Sequence, residues 1–121
     1  MDSLSSVFSA VPEAPLILEA TSTTSTSIEL EWTAVSQAPS TPLLGYVIVY
    51  KEINQKFRPD IMKSVPPNLL KTVLKDLSKF TNYTIRVYAF TSSGNGVSSK
   101  AVSLRTQEDG EFMIKKLGDN F

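Results

Sequence analysis

The stretch that decides the fold is Tyr83-Thr84-Ile85-Arg86-Val87-Tyr88-Ala89-Phe90. Tyr83, Ile85, Val87 and Ala89 fall on one face, and Thr84, Arg86, Tyr88 and Phe90 on the other. A period of two marks a half-buried β-strand, because successive side chains point to opposite sides of a sheet. A helix needs apolar positions three and four apart, and no long stretch of this chain supplies them.

The same reading extends in both directions. Residues 27–33 set Ile28, Leu30 and Trp32 against Glu29 and Glu31. Residues 45–51, GYVIVYK, carry Tyr46, Ile48 and Tyr50 on one face and Val47 and Val49 on the other, as a central strand does. Shorter strands are predicted at 61–65 and 70–74, divided by Pro66-Pro67-Asn68, and a last one at 100–106 with Val102 and Leu104 inward. Pro12 and Pro15 flank the start of a first strand at 16–20, where a missing N–H need not serve a ladder. The Ser/Thr run 21–27 reads as a loop, since its hydroxyls bond locally. Residues 34–44, with Pro39 and Pro42, read as a connection and 75–82 as a corner. Gly94-Asn95-Gly96 reads as a hairpin-type turn. Seven short strands so spaced predict an all-β fold, a two-sheet sandwich.

With 121 residues, there is enough chain for one domain and its core. The expected organisation is a flexible leader at 1–11, a folded domain at 12–107, and a C-terminal tail or interdomain linker at 108–121. That tail is unusually apolar, with Phe112, Met113, Ile114, Leu117 and Phe121.

Composition removes several classes of function. The absence of Cys and His leaves no disulfide, thiolate zinc site or cysteine nucleophile, and no imidazole base. Ser therefore has no His to activate it, and Gly94-Asn95-Gly96 precedes a strand rather than a phosphate-binding helix. Enzyme activity and a cofactor are not expected. Twelve basic and twelve acidic residues balance, so the whole chain does not read as a nucleic-acid binder. No apolar run approaches the roughly 20 residues a membrane helix needs, and residues 1–15 do not read as a secretory signal. The charge is nonetheless unevenly spread: residues 1–50 hold five acids and no Lys or Arg, whereas 51–105 hold ten basic residues.

Taken in order, these positions resemble a fibronectin type III domain over about residues 12–107. Pro15 opens strand A, and Trp32 ends the I-x-L-x-W run of strand B. Tyr46 and Tyr50 stand in the tyrosine-bracketed pattern of strand C. Leu77, Thr81 and Tyr83 match the L-x-P-x-T-x-Y corner before strand F, followed by Val87 and Ala89. Gly94, Gly96, Ser99, Val102, Leu104 and Thr106 match the F–G turn and strand G. Lys79, Thr91 and Ala34 depart from the family's usual residues, and Lys79 loosens the corner by freeing a backbone angle.

The resemblance implies a seven-stranded immunoglobulin-like β-sandwich with strands A, B and E packed on C′, C, F and G, and a structural core of Trp32, Tyr46, Ile48, Leu77, Tyr83, Val87 and Leu104. It also implies that the Tyr83 hydroxyl bonds to upstream backbone. In function it implies a non-catalytic interaction and spacer module of a multidomain cell-surface or extracellular protein, such as an adhesion molecule or a receptor-type tyrosine phosphatase. Its partners are then other proteins and adjacent domains of its own chain. The alternative is an intracellular structural module, or an accessory domain attached to an enzyme.

Three groups of residues are candidate sites. Asn82-Tyr83-Thr84 is an N-glycosylation sequon, of use only in a secreted context. Val47, Val49, Arg86, Tyr88 and Phe90, with Arg105 at the margin, form a candidate partner interface. Lys51, Lys56, Arg58 and Lys63 form a candidate patch for an acidic ligand such as a sulfated glycan; the competing reading is a lysine-guarded sheet edge.

Overall fold

A computed structural model describes residues 11–36, 41–54 and 59–108. The leader up to residue 10, the tail beyond Glu108, and Lys56 and Arg58 of the basic patch lie outside the described residues. Eight strands follow in chain order: β1 (Ile17–Thr24), β2 (Ser27–Trp32), β3 (Gly45–Glu52), β4 (Ile61–Val65), β5 (Lys71–Leu74), β6 (Asn82–Thr91), β7 (Gly94–Asn95) and β8 (Val102–Arg105). One sheet has the order β1-β2-β5. The other runs β4-β3-β6, with β7 and β8 both on the far side of β6. The two sheets form the expected sandwich.

Eight strands replace the expected seven because the last is divided. Between β7 and β8 the Val87 N–H donates to the Ser99 hydroxyl at 3.0 Å, and Ser99 N–H donates to the Val87 carbonyl at 2.7 Å. A side-chain oxygen stands where a ladder carbonyl would be. The chain stays bonded to β6 without regular pairing.

Two local expectations are corrected. Residues 21–24 are not loop: β1 runs through Thr24 and β2 resumes at Ser27. Thr is β-branched and suits an extended strand. The local hydroxyl bonding occurs at the hairpin's end, where Thr23 and Thr24 Oγ1 meet Ser27 Oγ at 2.9 and 2.6 Å. The second turn also falls earlier than read. Thr91 pairs with Gly94, so Ser92 and Ser93 form its tip. Gly94 closes it at φ 137°, a conformation open chiefly to glycine. Gly96 serves close approach instead, since a Cβ there would lie 2.6 Å from the Pro12 carbonyl oxygen.

The core lies between the sheets. Ile28, Leu30 and Trp32 from β2 face Tyr46, Ile48 and Tyr50 from β3 and Tyr83, Ile85, Val87 and Ala89 from β6, with Leu74 and Leu77 beside them, all buried. The Trp32 and Tyr46 rings meet at 5.6 Å between centroids, tilted 60°, a favourable aromatic arrangement. Leu104 is half-buried and packs against this cluster from outside, because β8 is an outer strand.

Chain direction places the start and the exit of the domain at opposite poles. The Pro12 carbonyl accepts the Val97 N–H, next to Gly96 bonded to Ala89, while the Gln107 carbonyl accepts the Phe80 N–H. Gln107 N–H also donates to the Ser22 hydroxyl at 3.1 Å. Between these ends runs β6, ten residues long, or about 30 Å of extended chain.

Candidate functional site

The outer face of the larger sheet is assembled by register. Val47 stands opposite Tyr88, Val49 opposite Arg86, and Gly45 opposite Phe90. On the other side of β3, Met62 faces Val49 and Ser64 faces Val47. Val47, Arg86, Tyr88 and Phe90 are half-buried. Val49 is only 2% exposed and Met62 is 63% exposed, so the accessible apolar surface belongs to Met62 rather than to Val49. Arg86 is held at 3.5 Å by Asp60, which also lies 3.8 Å from Lys51. Arg105 does not border this patch. It pairs with Asn82 at the far end of β6.

The basic cluster is not brought together among the described residues. Lys51 pairs with Thr84 on the outer face. Lys63 pairs with Ile48, on the inward parity of β4, and its ammonium donates to the Val73 carbonyl of β5 at 2.9 Å. Lys63 thus ties the open edges of the two sheets to each other. Inward-pointing charge on an edge strand also discourages pairing with another chain.

The corner before β6 is a closed hydrogen-bond network. The Ser78 N–H donates to the Tyr83 hydroxyl at 2.7 Å. Thr106 Oγ1 donates to the Ser78 carbonyl at 2.6 Å and accepts the Thr81 N–H at 3.0 Å. Asp76 and Phe80 sit in the left-handed region, at φ 60° and 49°. Nearby, burial first, and then Tyr83 and Asp76, raise the Tyr50 phenol above its ordinary pKa of 10.0.

Asn82 opens β6 and is exposed. Its carbonyl accepts the Ile53 N–H, and its side-chain amide stays clear of any partner among the described residues. Sequence reasoning missed what surrounds it. The Arg105 guanidinium lies 4.3 Å from the centroid of the Phe80 ring, and Phe80 is 53% and Ile53 44% exposed. The only signal for this grouping was Phe80 two residues before Asn82. Among the described residues no cluster of Asp and Glu could hold a metal ion, and no helix is long and apolar enough to cross a membrane.

Comparison with known proteins gives a consistent set of similarities. A family model, Fibronectin type III domain, matches residues 13–105. Cell adhesion molecule DSCAM of Homo sapiens is 32% identical over 96 residues, covering 78% of this chain and 5% of that protein. Protein sidekick-1 of Gallus gallus is 38% identical over 103 residues, covering 83% of this chain and 5% of that protein. The chain thus spans about a twentieth of the length of these relatives. Among solved structures, the FN5 domain of Drosophila Lar is 31% identical with a TM-score of 0.64, over 80% of this chain and 98% of that one. The fn3 domain of human contactin 1 is 26% identical with a TM-score of 0.68, over 79% and 78%.

Proposed function

Because the chain belongs to the fibronectin type III family, we propose that it is a non-catalytic interaction and spacer module in the extracellular part of a multidomain cell-surface protein. Cell adhesion molecule DSCAM, among the relatives it resembles, supports the adhesion-molecule reading; the ectodomain of a receptor-type tyrosine phosphatase is the other setting proposed for such a module. The observation that carries the spacer role is the opposition of the two poles. The chain is pinned at Pro12 beside the Ala89 end of β6 and leaves at Gln107 beside the Phe80 end. A module with opposed ends passes the chain along its long axis, so neighbouring domains stand in line. The outer face around Met62, Tyr88 and Phe90 is the surface offered to a partner protein, with aromatic and Arg side chains of the kind that anchor interfaces.

The test is accessibility of the native protein on intact cells to a membrane-impermeant label or to an antibody against this domain. Labelling before permeabilisation is the expected result. Labelling only after permeabilisation would overturn the extracellular assignment in favour of an intracellular structural module.

A further inference from the structure

We infer that Phe80, backed by Arg105, is a built-in platform for the first sugars of an N-linked glycan on Asn82. This rests on the extracellular reading above, since the sequon is used only in the secretory pathway.

Asn82 meets the folded-state requirements for carrying a glycan. It is exposed at the first position of β6, and its amide has no competing partner among the described residues. Phe80 precedes it by two residues, and Arg105 stands directly opposite it in the sheet. The Arg105 guanidinium covers one face of the Phe80 ring at 4.3 Å. The residue is still 53% exposed, so much of the remaining ring surface faces water. Ile53, bonded through its N–H to the Asn82 carbonyl, adds further exposed apolar surface.

A pyranose has a face of C–H groups that packs on an aromatic ring for the same reasons an aliphatic side chain does, by apolar burial and by the polarity of the ring face. A guanidinium also offers donors to sugar hydroxyls around the ring. The backbone points the same way. Phe80 sits at φ 49°, where a bulky side chain is an outlier and Gly or Asn is at ease. An aromatic residue kept in strained backbone with its ring in water is unfavourable by itself. A sugar covering that ring supplies the missing contact.

The experiment compares the full chain made in a secretory host with the same chain made in bacteria, for wild type, Phe80→Ala and Phe80→Trp. Intact mass reads occupancy of Asn82, and thermal melting reads stability. In wild type the glycosylated form is expected to melt higher than the bare form by about 2–6 °C, on the scale of a domain this size. That increment is expected to vanish in Phe80→Ala and to persist in Phe80→Trp. Comparing each variant with its own bare form removes any effect of the substitution on folding alone. An equal increment in wild type and Phe80→Ala would overturn the platform, and so would an unmodified Asn82 in the secreted wild type. A chain that labels on intact cells but carries no sugar at Asn82 overturns this inference alone. A chain that labels only after permeabilisation overturns the extracellular reading as well.

Discussion

The Tyr83 hydroxyl accepts the backbone N–H of Ser78 at 2.7 Å, joining the start of β6 to the segment that crosses from the other sheet. Tyr83 is 3% exposed, so the ring lies in the core while its oxygen secures the crossing. Phenylalanine keeps the ring and leaves the Ser78 N–H without its partner. Tyr83→Phe is expected to cost about 1–3 kcal/mol, the range for an unmade buried hydrogen bond. A denaturant midpoint equal to wild type would show that water replaces the hydroxyl and that the corner does not depend on it.

The carbonyl of the same residue, Ser78, is held by Thr106. Its hydroxyl donates to the Ser78 carbonyl at 2.6 Å and accepts the Thr81 N–H at 3.0 Å, with the residue 1% exposed. Thr106→Val preserves shape and removes both bonds, at an expected cost of about 2–4 kcal/mol from two unpaired groups. Because Tyr83 and Thr106 share Ser78, their effects should not add. The Tyr83→Phe, Thr106→Val double variant is expected to lose at least about 0.5 kcal/mol less than the two single losses together. Strict additivity in a double-mutant cycle would mean that the two hydroxyls act independently.

Trp32 is 1% exposed and its indole Nε1 has no hydrogen-bond partner among the described residues. Most of its contribution is therefore volume and contact with Tyr46, not polarity. Trp32→Ala should cost about 3–5 kcal/mol through the cavity it leaves. Trp32→Phe also removes volume but relieves the burial of an unpaired donor. It should cost less, about 1–2 kcal/mol. Equal losses for the two variants in urea titration would mean that the indole nitrogen is satisfied in solution.

Much of this architecture was legible because burial follows a simple alternation. Ile28, Leu30 and Trp32 against Glu29 and Glu31 leave one consistent choice of inner face, and the same holds for Tyr83 through Ala89. The Ser/Thr run was opaque because hydroxyl-rich residues serve a turn and a solvent-facing strand equally well. Only pairing with β2 decides for the strand through Thr24. The separation of Lys51 from Lys63 was hard to read for a different reason, with Lys56 and Arg58 outside the described residues. Lys51 and Lys63 are close in the chain, yet the alternation of Ile61, Lys63 and Val65 already set Lys63 on the inward side. The Phe80–Arg105 stack joins positions far apart in sequence. No local pattern announces such a contact.

The position of Lys63 predicts a structural effect rather than a loss of ligand affinity. Its ammonium bridges to the Val73 carbonyl at 2.9 Å, a charge-assisted bond between two sheet edges. Lys63→Met retains most of the aliphatic stem and removes the bond, at an expected cost of about 1–2 kcal/mol. Retention on a heparin column is expected to stay unchanged. A variant of wild-type stability that elutes from heparin at lower salt would instead make Lys63 part of an acidic-ligand site.

Tyr50 gives the domain a specific sensitivity to alkali. Burial is the largest cause of its raised pKa, with Tyr83 and Asp76 adding to it. The folded protein therefore holds the phenolic proton more tightly than the unfolded chain, which releases it near pH 10. Below that pH both states are protonated and this group adds no slope. As pH climbs past about 10, the unfolded state binds fewer protons than the folded state, so unfolding becomes progressively easier until the folded phenol also ionises. Tyr50→Phe removes this linkage, because both of its states are neutral throughout. Denaturant titrations from pH 8 to 11.5 should show the wild-type stability falling more steeply than that of the variant above about pH 10. Parallel alkaline limbs would mean that the phenolate is as well solvated in the sandwich as in the unfolded chain.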